Sequence, residues 1–184
     1  MFLNKDTSTA PELTFGKPSL SATERGTALT FNMDGKGRFA EINKGTLDLY
    51  NGVVITGGKD NRGGGIDCKT GSVLNIHGGI ITGNTASAAG TLGGGGVSVV
   101  AYGTANMDGG IITGNTSENS LGGGLSVMEN GSFNMSGGSI SGNTGYDVYV
   151  NNNNMKISGS AEIGSLYLAE GKTMTVNGAF TSDR

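Results

Sequence analysis

Glu41 and Asp67 are the residues of this sequence whose types and spacing best suit joint chemistry, since they occupy equivalent places in two successive stretches of similar pattern. Carboxylates stacked that way can share a proton or hold one calcium ion. Arg62 and Lys69 place cations beside them. The same place in later stretches is taken by Ser98, Ser126, Tyr149 and Tyr167. Serine stands where a third acid would be needed, so a strand face with two solvated carboxylates outweighs a catalytic pair. Tyr149 and Tyr167 could stack into a platform for a sugar ring, although stacked tyrosines also simply stabilise parallel strands.

The other reactive side chains carry less. Cys68 aligns with Val99 and Val127, which places it in the core as a small hydrophobe. As the sole cysteine it excludes disulfides within the chain. His77 aligns with Asp108 and Ser136 at a tolerant turn position and receives no catalytic or metal role. Asn84, Asn115 and Asn143 recur at one corner, where their amides would hydrogen-bond along the stack as a structural ladder. The surrounding T-G-N-T motifs at Thr82 and Thr113, with S-G-N-T at Ser141, also resemble the threonine-rich motif of ice-binding solenoids. Bent around a corner, they would make a poor flat lattice.

All these positions depend on a repeat. Three segments align, GGGIDCKTGSVLNIHGGIITGNT from Gly63, GGGVSVVAYGTANMDGGIITGNT from Gly94 and GGGLSVMENGSFNMSGGSISGNT from Gly122. The corner asparagines are 31 and then 28 residues apart. A weaker copy precedes them from Arg38 and another follows from Asp147. Apolar and polar residues alternate with period two over short runs and break at glycine, which indicates strands and excludes helices. Each copy yields three strands: a first at Ile66, Val97, Leu125 and Val148; a second at Leu47, Leu74, Ala105, Phe133 and Met155; a third centred on Ile55, Ile81, Ile112, Ile140 and Ile163. One copy cannot bury its apolar positions alone, so equivalent strands must stack on the next coil about 4.8 Å away. The expected fold is an all-β, right-handed parallel β-helix, or β-solenoid, with three strands per coil and about six coils. It would occupy residues 27–180, behind an N-terminal cap or linker over 1–26 that holds Pro11 and Pro18, and ahead of a short tail over 181–184.

Length differences between copies fall between the Gly-Asn corner and the next glycine triplet, as in GKDNR, ASAAGTL and SENSL. In repeat proteins such insertions gather on one face, often the binding face. That loop edge, with Asp60, Asn61, Arg62, Glu118 and Asn119, is a second candidate binding surface.

Composition narrows the partners. Glycine makes up 36 of 184 residues and proline only two, so glycine here is turn punctuation rather than collagen triplet or disordered linker. A net charge of -3 from scattered charges offers no basic stripe for nucleic acid. No apolar run approaches the roughly 20 residues of a membrane helix, and Met1 to Leu13 lacks the apolar core of a signal peptide.

The repeat resembles the pectate-lyase-like parallel β-helix superfamily, and most closely the GGG-V-x-V and G-x-F-x-M-x-GG-x-I-x-GNT repeats of bacterial surface proteins and adhesins. The resemblance covers roughly Arg38 to Phe180. It implies a secreted or cell-surface module without catalysis, adhesin-like, structural or ligand-presenting, with a surface glycan or protein as partner and with further domains; separately, an uncovered last coil would offer its open sheet for end-to-end association. A carbohydrate-binding or polysaccharide-degrading β-helix is the alternative, because enzymes of the superfamily carry clustered acids with Arg, Lys or His nearby. No cofactor is expected, with calcium at the acids left open.

Overall fold

The computed structural model describes residues 2–4, 12–16, 28–87, 93–119 and 121–178. Its strands pair in parallel throughout, and they stack into three long sheets of seven, seven and six strands. The chain passes through the three sheets in turn and then returns to the first, so each coil contributes three strands to a β-solenoid. No helix among the described residues is long and apolar enough to cross a membrane.

The first sheet runs through Phe2–Asn4, Ala40–Asn43, Ile66–Lys69, Val97–Val99, Leu125–Val127, Val148–Val150 and Leu166–Leu168. The second runs through Glu12–Phe15, Thr46–Leu49, Val73–Ile76, Thr104–Met107, Ser132–Met135, Met155–Ser158 and Met174–Asn177. The third holds Leu29–Asn32, Val53–Thr56, Ile80–Thr82, Ile111–Thr113, Ser139–Ile140 and Glu162–Ile163. A short fourth sheet of Lys59–Asp60, Thr85–Ala86 and Thr116–Ser117 follows the asparagine corner. It lies in the segment whose length varies between copies.

The period-two pattern decides which side chains enter the core. In the second sheet Leu74 and Ile76, Ala105 and Met107, and Phe133 and Met135 point inward in register, while the residues between them are part-exposed. Volume is balanced along the stack, because the small Ala105 sits between Leu74 and Phe133. Near the first coils, Phe15, Phe31 and Phe39 pack as an aromatic cluster with centroids 4.8 to 5.6 Å apart. Within residues 1–26, Phe2–Asn4 and Glu12–Phe15 pair in parallel with Ala40–Asn43 and Thr46–Leu49. Both prolines of the expected cap, and the tail over 181–184, lie outside the described residues.

Candidate functional site on the outward faces of the coils

Parallel pairing brings the expected row of the first sheet into register: Glu41 beside Asp67, then Ser98, Ser126, Tyr149 and Tyr167. Its exposure departs from expectation. Asp67 is 1% exposed, Ser98 and Ser126 are 0% and Tyr149 is 6%, so these four do not form an open binding face. Their cover is the glycine triplet. Gly94, at a φ of 78°, lies so close that a Cβ there would come within 2.8 Å of Ser126 Oγ, and a Cβ at Gly122 would be 3.0 Å from that of Tyr149. Only glycine combines this backbone angle with that approach. Val100, Met128 and Tyr149 form a second small apolar cluster with Ala101 and Leu121 packed against it. Beneath this cover the Ser98 and Ser126 hydroxyls find no protein hydrogen-bond partner.

The acidic end of the row is a closed ionic network rather than two solvated carboxylates. Arg38 donates to Asp60 through Nε at 3.0 Å and Nη2 at 2.8 Å, and through Nη1 to Asp67 at 2.7 Å. Arg62 bonds both Asp67 oxygens, at 3.2 and 3.1 Å. Lys69 Nζ lies 2.9 Å from Glu41 Oε1. Calcium seeks six to eight oxygen ligands, whereas the nearest charged neighbours of these carboxylates are guanidinium and ammonium groups. Among the described residues no group of three or more His, Cys, Asp or Glu side chains is arranged to hold a metal ion. Arg38, which links the set, carries no signal in the sequence pattern. It lies in the weaker copy that precedes the three aligned segments, at the place where the next copy has a triplet glycine, Gly64, so the repeat gives no hint of a cation there.

Asp60 provides a pH test of this network. The hydrogen bond from Arg38 holds its carboxyl below the usual range, against the opposing effect of burial. A carboxyl depressed in the folded state adds stability above its unfolded pKa of about 3.9, and that stability is lost as pH falls through the folded value. Urea midpoints of wild type should therefore fall more steeply below about pH 4 than those of Asp60→Asn. Parallel profiles for the two proteins would show that this pair contributes no pH dependence.

Of the described loop-edge residues, two reach back to the first sheet, and the others make contacts within the edge. Asp60 and Arg62 serve the network above. Asn61 donates its backbone N–H to Asp60 Oδ1 at 2.7 Å, Glu118 meets Lys59 at 3.2 Å, and Asn119 Oδ1 accepts from Leu121 N–H at 3.1 Å.

The corner asparagines form a continuous ladder. Asn84 Nδ2 donates to Asn115 Oδ1 at 3.0 Å, and Asn115 Nδ2 donates to Asn143 Oδ1 at 3.0 Å. Asn143 Nδ2 then meets Asp147 Oδ1 at 2.9 Å, which ends the run. Each corner splits its T-G-N-T motif between sheets. Thr82 pairs with Thr113 on the third sheet, whereas Thr85 pairs with Thr116 on the fourth. The two threonines of each motif therefore do not share one plane. Ser141 falls outside the strand Ser139–Ile140.

Three outward features remain. Tyr167 is 39% exposed and stacks on Tyr149 at 5.5 Å with rings 5° apart, and Tyr146, 41% exposed, lies 4.9 Å from Tyr167. The third sheet bears exposed Ile80 and Ile111 side by side. The second sheet carries an amide ladder on its outer face, unforeseen although three successive strands repeat an apolar-Asn-apolar triplet. Asn75 Nδ2 donates to Asp48 Oδ1 at 2.7 Å, Asn106 Nδ2 to Asn75 Oδ1 at 2.9 Å, and Asn134 Nδ2 to Asn106 Oδ1 at 2.9 Å. Beside it, His77 stacks on Tyr50 with centroids 4.7 Å apart and reaches Asp108 with Nδ1 at 2.9 Å. Cys68 is buried as expected, and burial pushes its thiol up to about 11. It is no nucleophile.

No family model, curated protein or solved structure matches this chain.

Proposed function

We propose that this chain is a non-catalytic β-solenoid module of the secreted or cell-surface kind, adhesin-like, which presents its outer faces to a surface glycan or protein. The observation that carries the reading is the state of Glu41 and Asp67. Their oxygens are engaged by Arg38, Arg62 and Lys69, and Asp67 is buried, so neither is poised to abstract or deliver a substrate proton. General acid–base catalysis needs the group within hydrogen-bond reach of the substrate. The exposed faces, by contrast, are regular and repeat from coil to coil, which suits multivalent contact with a repetitive ligand. The exposed pair of Tyr146 and Tyr167 favours a sugar over a protein as that ligand, because aromatic faces pack against the apolar faces of sugar rings.

A glycan array, run beside a lyase and hydrolase screen on uronate and neutral polysaccharides, tests this. Binding without turnover is the expected result. Turnover that Asp67→Ala abolishes would overturn the non-catalytic reading in favour of a polysaccharide-degrading β-helix.

A further inference from the structure

We infer that the outer face of the second sheet is a binding surface for a neutral, extended polysaccharide chain that lies along the solenoid axis, with one sugar unit per coil. The inference rests on the glycan reading above and assigns it to a face other than the tyrosine patch.

The ladder of Asp48, Asn75, Asn106 and Asn134 runs from coil to coil along the axis. A primary amide has two N–H donors and an oxygen with two lone pairs. Contacts within the ladder take one donor of each asparagine and one lone pair of Asn75 and Asn106. A donor and an acceptor thus remain at each of those two rungs, matching a hydroxyl group, which both gives and accepts. Hydrogen bonds in series also polarise one another, which strengthens what the outer groups can offer.

The surface has the shape for such a ligand. A shallow cleft of about 250 Å³ lies over the later rungs of the ladder, lined by Asn106, Asn134, Asp108, Ser136, Lys156 and Ser158 among others. Rungs of a parallel sheet recur about every 4.8 Å, close to the length of one pyranose unit, so successive sugars would meet equivalent side chains. At one end the stacked rings of Tyr50 and His77 are half-buried, leaving part of an aromatic edge beside the track. Charge selects against polyanions. The cleft lining holds one carboxylate, Asp108, which His77 engages, against one cation, Lys156, so it lacks the cluster of cations that a polyanion would need.

The test uses titration calorimetry with cellohexaose and mannohexaose, and an oligogalacturonate of equal length as comparator. Ser136 is exposed and takes no part in the ladder, so Ser136→Trp fills the cleft while leaving the amide contacts in place. Wild type should bind a neutral oligosaccharide and prefer it to the uronate. Ser136→Trp and Asn106→Leu should each weaken that binding about tenfold or more, a change of 1.4 kcal/mol. Ser136→Trp should do so with an unchanged Tm, which separates a binding role from a structural one. If neutral glycan binds equally to Ser136→Trp and is lost in Tyr167→Ala, the second-sheet assignment fails while the glycan reading stands. Preference for the uronate also overturns the assignment. If wild type binds none of the array glycans, the glycan reading itself fails and takes this inference with it.

Discussion

Gly95→Ala is expected to destroy cooperative folding, costing more than about 4 kcal/mol, at the extreme of single-substitution effects. A Cβ at Gly95 would sit 2.3 Å from the carbonyl oxygen of Thr116 and 2.4 Å from that of Gly123. Both are backbone atoms. Thr116 belongs to the fourth sheet at the end of the same coil, and Gly123 to the glycine triplet of the next. Relief of the clash therefore requires coils to separate, and that would break the hydrogen bonds that Gly95 shares with its neighbours, such as Gly65 N–H to Gly95 O at 3.1 Å and Gly95 N–H to Gly122 O at 3.2 Å. Far-ultraviolet circular dichroism and urea titration would read the effect. Gly71→Ala is the control. Gly71 has a φ of 67° but open space around its Cβ position, so only the backbone strain of about 1 kcal/mol should appear. A Gly95→Ala protein that unfolds at the same urea concentration as Gly71→Ala would refute the idea that the triplets close the coils together.

Asn115→Ala should follow with a loss of about 4 kcal/mol. Asn115 is fully buried, and its amide serves three coils. Its Oδ1 accepts from the backbone N–H and the side-chain Nδ2 of Asn84, and the two hydrogens of its own Nδ2 are shared among Ile81 O, Thr113 O and Asn143 Oδ1 at 2.9 to 3.1 Å. Truncation strands the Asn84 donors and the Ile81 carbonyl where water does not reach, at about 1–3 kcal/mol for each unsatisfied group. Asn143→Ala should cost less, because Asn143 is part-exposed and water can replace some of its contacts. The ordering of these two urea midpoints is the check. Equal losses would mean that burial of the amides does not set their worth.

Much of the fold was legible in the repeat. The inward positions of the second strand, from Leu47 through Phe133 to Met155, alternate with polar residues, and that pattern has one solution when no single copy can bury its own apolar face. The asparagine corner was legible for a similar reason, since one amide type at one place in three copies can satisfy itself by stacking. The outer face of the second sheet was open to the same logic. Asn75, Asn106 and Asn134 recur as regularly as the corner set, but period two marks them only as outward and does not say that they bond to one another.

The candidate site of the first sheet was legible in register and not in exposure. Alternation placed Asp67, Ser98, Ser126 and Tyr149 on the side away from the core, and there they are. A sheet has two sides, however, and what lies over the second depends on the path of the connecting chain. In the sequence the glycine triplets mark corners and nothing more. Their close approach to Ser126 and Tyr149 shows that they also cover the strands.

By itself, then, the sequence determined the strands, their stacking into coils, the core and the corner ladder, because each follows from a local period repeated along the chain. Tertiary structure alone decided the fate of Glu41 and Asp67. Whether a carboxylate pair is open for chemistry or closed in ion pairs depends on where long side chains such as Arg38 and Arg62 come to rest. Those residues lie in the irregular parts of the repeat, where no period constrains them and only packing settles their place.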